Sequence, residues 1–189
     1  MVKKKKRDWG VPASVAAGIG ASLILMQFFS VSVVNGSSMT ETFHDGDKVI
    51  FAKHAEIQHG DVILCKSDND DKVLIKRVIG MEHDVIDIDF ETGTVYCNDE
   101  SLDEPYLKEK PFQALGEIMD NITEVTYPVT VPDGCYMVMG DNRNGSLDSR
   151  SEKVGFITES NIYGKVILRY APLNQFTTDF SGISENEEK

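Results

Sequence analysis

Three short segments of this 189-residue chain hold residue types that could do chemistry together. The first is Asn35-Gly36-Ser37-Ser38-Met39-Thr40, which offers two adjacent serine hydroxyls. A serine hydroxyl attacks a carbonyl only when a nearby base takes its proton. The second is Val73–Ile79 (VLIKRVI), followed by Gly80, which carries Lys76 and Arg77. An exposed lysine, with its ordinary pKa near 10.4, stays charged at neutral pH and cannot act as a base. Apolar surroundings disfavour the ammonium, and Leu74, Ile75, Val78 and Ile79 could supply them. A drop of about three units needs about 4 kcal/mol, which only a buried position provides. The third segment, Gly140-Asp141-Asn142-Arg143-Asn144-Gly145-Ser146-Leu147-Asp148-Ser149-Arg150, mixes turn residues with charge. Taken singly, the three read equally well as a linker, a strand lysine facing water and a loop chosen for its turns.

Their order and spacing together resemble the bacterial type I signal peptidases, from the apolar N-terminal segment through Pro172. G-S-S-M, K-R-V-I-G and G-D-N-x-x-x-S-x-D-S-R carry the resemblance, with Asp103-Glu104-Pro105-Tyr106 as a further familiar element. The resemblance implies that Ser38, not Ser37, is the nucleophile and Lys76 the general base of a Ser-Lys dyad. It implies an oxyanion site built on the Ser38 backbone N–H, because Gly36 stands where some relatives place a serine hydroxyl. Ser146 would hydrogen-bond the lysine, Asp148 and Arg150 would pair to fix their loop, and Arg77 would stand beside the site. Val34, Asn35, Met39, Phe43, Leu74 and Ile75 fall where the family lines its substrate pockets. Its substrates are exported preproteins with small residues at the first and third positions before the cut. One departure stands out: Thr40-Glu41-Thr42-Phe43 replaces x-P-T-L, exchanging a rigid proline for a charge. It prompts an alternative reading as a catalytically impaired homologue serving as a pilus-assembly or preprotein-binding partner. The short body after the apolar segment resembles the Gram-positive forms.

The elements that must position these residues follow from hydropathy. Residues 11–34 (VPASVAAGIGASLILMQFFSVSVV) carry no charge, and a helix of that length spans roughly 36 Å, more than the ~30 Å hydrocarbon core. It is too long for a cleavable signal peptide and too evenly apolar for a buried soluble helix. A transmembrane anchor is therefore expected over 11–34. The basic cluster in 1–10 places that end in the cytoplasm and the body outside. Lys48–Ala52, Asp61–Lys66, Val73–Ile79, Asp84–Asp89, Thr94–Cys97, Val125–Val131, Cys135–Met139 and Val166–Tyr170 read as strands, parted by turns such as Asp45-Gly46-Asp47 and Pro132-Asp133-Gly134. The expected fold is mostly β, an antiparallel, barrel-like catalytic domain over 35–175. Helical turns are expected within Leu107–Asn121 and Ile157–Tyr163, and an acidic, disordered tail over 176–189.

Charge narrows the partners. Residues 1–10 hold five basic side chains and one acidic, so beyond the uncharged run the body carries a net −16 of the chain's −12. An acidic body does not suit nucleic acid, which argues against a self-cleaving, DNA-binding Ser-Lys repressor. The lipid bilayer and preproteins are the expected partners. Three cysteines without CxxC spacing form neither a disulfide framework nor a four-cysteine zinc site, and the four histidines make no metal motif. No metal or cofactor is expected.

Overall fold

The computed structural model describes residues 10–182 except Glu41, Pro111 and Asn121. The basic segment 1–9, the end of the acidic tail over 183–189, and Glu41 lie outside the described residues. The described chain runs α1 (Gly10–Phe28), β1 (Phe29–Val33), β2 (Lys48–Ala52), β3 (Val62–Ser67), β4 (Asp70–Gly80), β5 (Val85–Asp89), β6 (Thr94–Cys97) and β7 (Glu100–Ser101). It continues with α2 (Leu115–Ile118), β8 (Val129–Thr130), β9 (Cys135–Met139), β10 (Ile157–Thr158) and β11 (Ile162–Ala171).

Two antiparallel sheets form the body, one ordered β1-β2-β11-β3-β4-β9-β10 and a smaller one ordered β7-β6-β5-β8. Both are open. The barrel-like expectation is corrected accordingly: the larger sheet ends in two edges, β1 and β10, that do not pair with each other. The chain order supplies the reason, since the strands that could close the sheet, β5 to β8, pair among themselves instead.

The expected 11–34 helix is also corrected. It ends at Phe28, and Phe29-Ser30-Val31-Ser32-Val33 pairs with β2, from Phe29 opposite Ala52 to Val33 opposite Lys48. Alternation of β-branched or aromatic residues with serine has the period of a strand. Lys53 holds the junction, its amide donating to the Phe28 carbonyl at 2.8 Å and its Nζ to the Met26 carbonyl at 2.8 Å. Among the described residues no helix is long and apolar enough to cross a membrane. Ile19, Leu23, Ile24 and Met26 on α1 nevertheless stand exposed, as do Phe29, Val31 and Val33 along one face of β1.

Three apolar clusters fill the body. One, formed by Val34, Met39, Phe43, Val49, Phe51, Val62, Leu64 and Val166, lies beneath the loop after β1. A second sits between the smaller sheet and β9, and a third beneath β3, β9 and β10. Residues 157–163 form β10, a 3-10 turn over Glu159–Asn161 and the start of β11, rather than a single helix. The tail also departs from expectation: Phe180 packs on Phe43 with ring centroids 4.9 Å apart, so 176–182 is part of the packed body.

Candidate active site

Ser38 lies in the turn between β1 and β2, and Lys76 in the middle of β4. The Lys76 Nζ donates to Ser38 Oγ at 2.7 Å and to the Ile75 carbonyl at 3.0 Å. Lys76 is 3% exposed, while Ser38 stays partly open. Burial pulls the Lys76 pKa below its ordinary value, against the opposing pull of the Asp148 and Asp141 carboxylates. A lysine held toward its neutral form beside a serine hydroxyl has the geometry of a base and its nucleophile.

Cys65 lies fully buried on the neighbouring strand β3, where burial raises its pKa to about 12. It stays a neutral thiol and leaves Lys76 without an anionic sulfur partner.

The 140–150 run grips the serine turn. The Asn142 amide donates to the Ser38 carbonyl at 3.1 Å, and its Nδ2 to the Ser37 carbonyl at 3.1 Å. Thr40 closes the turn with its amide on the Ser37 carbonyl at 3.1 Å. Among the described residues, the Ser38 amide donates to no backbone carbonyl, so it is available to an oxyanion. Gly140 is required by close approach: a Cβ there would stand 2.2 Å from Ser146 Oγ and 2.4 Å from the Ser38 carbonyl oxygen.

Two buried charge pairs brace this arrangement. Arg77 forks onto Asp141, Nε to Oδ1 at 2.8 Å and Nη2 to Oδ2 at 2.7 Å, and its Nη1 donates to the Gly60 carbonyl at 2.7 Å. The ring of Tyr106 lies 3.8 Å from the Arg77 guanidinium carbon. Arg150 forks onto Asp148, Nε to Oδ1 at 2.8 Å and Nη2 to Oδ2 at 3.0 Å. Burial pushes the Asp148 carboxyl up, but Arg150 and the Gly140 amide outweigh it and hold the group below its ordinary value.

A family model described as signal peptidase, peptidase S26, matches residues 6–171. This chain belongs to that family. It is 35% identical to signal peptidase I S of Bacillus subtilis over 92% of this chain and 95% of that one. It is 37% identical to signal peptidase I of Bacillus caldolyticus, over 94% and 98%. Signal peptidase IB of Staphylococcus aureus is 32% identical, over 95% and 97%. A solved signal peptidase I from Enterococcus faecalis aligns at 29% identity with a TM-score of 0.44, covering 59% of this chain and 97% of that one. As a member of this family the chain is a serine peptidase, a hydrolase, and the family is membrane-associated.

Around the dyad of this family member, a cavity of about 110 Å³ opens beside Ser38 and Lys76, bounded by Ser32, Val33, Val49, Leu64 and Val73. Val34, Asn35, Leu74 and Ile75 line it too. Met39 and Phe43 do not: both are wholly buried in the cluster beneath the serine turn. A large apolar side chain directly after a tight turn has nowhere to face but the core. Ser146 is brought near but not joined. Its Oγ is fully buried and turns toward Asp148, whose carboxyl it helps hold below its ordinary value, and it is not one of the Lys76 partners.

Several supporting residues escaped sequence reasoning. Thr42 donates its hydroxyl to Asp141, Arg143 pairs with Glu104, and Arg169 reaches the Thr42 carbonyl at 2.6 Å. Glu104 and Tyr106 carried a signal, since both lie in the Asp103–Tyr106 element. Arg169, a lone basic residue in a strand, carried none. Among the described residues, His59, Asp84 and Cys97 bring ligand-type atoms within 4.8 Å of one another, with His59 Nε2 2.6 Å from Asp84 Oδ2.

Proposed function

We propose that this chain removes signal peptides from exported preproteins as a Ser-Lys endopeptidase. The observation that carries the mechanism is the 2.7 Å contact between Ser38 Oγ and a buried Lys76 Nζ. Neutral Lys76 takes the Ser38 proton as Oγ attacks the scissile carbonyl carbon. The C–N bond then breaks, Lys76 returns the proton to the leaving amine, and the acyl group stays on Oγ as an ester. Lys76 next takes a proton from water, whose oxygen attacks the ester carbonyl, and Ser38 regains its hydrogen as the signal peptide departs. The Ser38 N–H supports the oxyanion in both steps. Ser146, whose buried hydroxyl and the Ser38 carbonyl crowd the same face of Gly140, orients Lys76. Asp148–Arg150 and Arg77–Asp141 hold the loop and strand that carry these groups.

The cavity of about 110 Å³ supports selection of small side chains before the cut, because it is smaller than the ~150 Å³ space that admits a benzene ring and so holds only a few heavy atoms. The exposed apolar surfaces of α1 and β1 support work at a bilayer, with the basic N-terminal segment on the cytoplasmic side and the peptidase domain outside. Val33 ends β1 only five residues before Ser38, which would hold the dyad close to the lipid surface. The impaired-homologue alternative is not favoured, since both members of the dyad are present and in contact.

The test is cleavage of one preprotein bearing Ala-x-Ala before the cut, in detergent or vesicles, by the full chain and by Ser38→Ala and Lys76→Ala. Processing by the parent alone is the expected result. Processing by either variant would sink the dyad assignment.

A further inference from the structure

Beyond Ala171 the chain turns back over the body and packs on Phe43 and Tyr106, which flank the serine turn and the lysine strand. Its path starts at Arg169. The Arg169 amide donates to the Thr177 carbonyl at 2.9 Å, and the Thr177 amide to the Arg169 carbonyl at 3.1 Å. The Arg169 guanidinium then links the returning segment to the serine side. Nε donates to the Gln175 carbonyl at 2.7 Å, while Nη1 donates to the Thr42 carbonyl at 2.6 Å and lies 3.3 Å from Asp47 Oδ2. The same guanidinium sits 5.6 Å from the centre of the Phe43 ring.

Phe180 lies against that ring from further along the segment, at 4.9 Å with an interplanar angle of 35°. Phe43 and Met39 are fully buried in one cluster, and the Phe43 amide donates to the Met39 carbonyl at 2.8 Å. Met39 is the residue directly after Ser38, so Phe180 presses on the base of the nucleophile turn. Two residues later the segment meets the other side. Gly182, at φ +80°, runs so close to Tyr106 that a Cβ would stand 2.4 Å from the Tyr106 nitrogen. Tyr106 stacks on Arg77, which neighbours Lys76 and forks onto Asp141.

We infer that residues 173–182 form a strap that positions the Ser-Lys dyad, with Phe180 as its positioning residue and Arg169 of β11 as its anchor. The inference rests on the proposed peptidase reading. The strap touches neither Ser38 nor Lys76. It fixes Phe43 and Thr42 on one side and Tyr106 on the other, and so sets the distance between the turn that carries the nucleophile and the strand that carries the base. Catalysis is sensitive to such placement, since a misplacement of about 1 Å can cost about a hundredfold in rate. The cavity beside the dyad is lined from β1, the loop after it, β2, β3 and β4, and no strap residue lines it, so substrate binding is expected to be less affected than turnover.

The strap carries its own control. Phe176 is 60% exposed and Leu173 83% exposed, so their side chains face away from the dyad. The experiment measures kcat and KM for an Ala-x-Ala peptide with the full chain and with Phe180→Ala, Phe180→Leu, Phe176→Ala and a chain ended after Pro172. Circular dichroism monitors the fold of each. The expected result is a fall in kcat of about ten- to a hundredfold in Phe180→Ala, with KM within about twofold. Phe180→Leu recovers most of the rate and Phe176→Ala matches the parent. The shortened chain, where it folds, loses at least as much kcat as Phe180→Ala; where it does not, the Phe180 pair carries the test. Unchanged kcat in a folded Phe180→Ala protein would overturn the strap, as would a loss confined to KM or an equal loss in Phe176→Ala. A parent chain that cleaves nothing would overturn the peptidase reading itself, a separate outcome.

Discussion

Lys76 Nζ reaches Ser38 Oγ at 2.7 Å from a position on β4 that leaves the lysine 3% exposed. This one contact links burial to reactivity, because the apolar surroundings that favour the neutral amine also hold it against the hydroxyl.

A pH profile follows. On the proposed mechanism activity needs neutral Lys76, so kcat/KM should rise with pH through a midpoint below the ordinary lysine value of about 10.4. Stability carries the same sign. Below the unfolded lysine pKa the unfolded chain binds a proton that the folded chain refuses, so Lys76 lowers stability progressively from there down to its folded pKa. Lys76→Met should therefore lose at least ~100-fold in activity and melt higher than the parent at pH 7. Activity assays and thermal melts at several pH values check both halves.

Ser146→Ala separates orientation from packing. The hydroxyl is fully buried beside Asp148, so deleting it removes a desolvation cost together with a weak Asp148 contact and leaves stability within about 1 kcal/mol of the parent. If the hydroxyl orients Lys76 during turnover, kcat falls about tenfold and the pH midpoint shifts. Steady-state kinetics across pH, set beside a melting curve, would show the two effects diverging.

The Arg77–Asp141 fork is a matter of stability first. Both side chains are nearly inaccessible, and removing one partner of such a pair costs about 3–5 kcal/mol. Asp141→Ala should lower the denaturant midpoint accordingly. Arg77→Met with Asp141→Leu should restore much of that loss, while turnover stays low because Thr42 has lost its acceptor. Urea unfolding of the single and double variants reads this directly.

Substrate choice is tested at the cavity wall. Ile75 borders the space of about 110 Å³, and trimming it to alanine frees roughly three methylene volumes. Ile75→Ala should accept valine or leucine at a position where the parent accepts alanine. Competition between two peptides in one reaction, followed by mass spectrometry, would reveal the change; an unaltered preference would remove Ile75 from the pocket.

How far the fold and site could be read beforehand depended on the kind of force at each place. Lys48–Ala52, Thr94–Cys97 and Cys135–Met139 are short, β-branched or aromatic and bounded by turns, so local pattern was enough to set their ends. Phe29–Val33 was absorbed into the apolar run before it, because hydropathy hides a strand whose exposed face is itself apolar. Lys76 and Ser38 were legible through motif resemblance, but no local rule placed them in contact across 38 positions. Met39 and Phe43 lie beneath the serine turn and not along the cavity, because adjacency in sequence says nothing about the side of a turn a side chain takes. The strap was lost for a compositional reason: an acidic, serine-rich end looks solvated, and one phenylalanine on another is invisible until the chain has turned back.

The grip of Asn142 on the serine turn has a consequence in time. Its two hydrogen bonds, to the carbonyls of Ser37 and Ser38, join positions more than a hundred residues apart. Contacts of such separation are among the last a chain can collect, since the loop entropy must be met before they form. Until β9 docks and presents Asn142, the nucleophile has hydroxyl and sequence but no fixed direction. On the proposed mechanism, the serine turn is therefore completed late, after the strands that carry it have already paired.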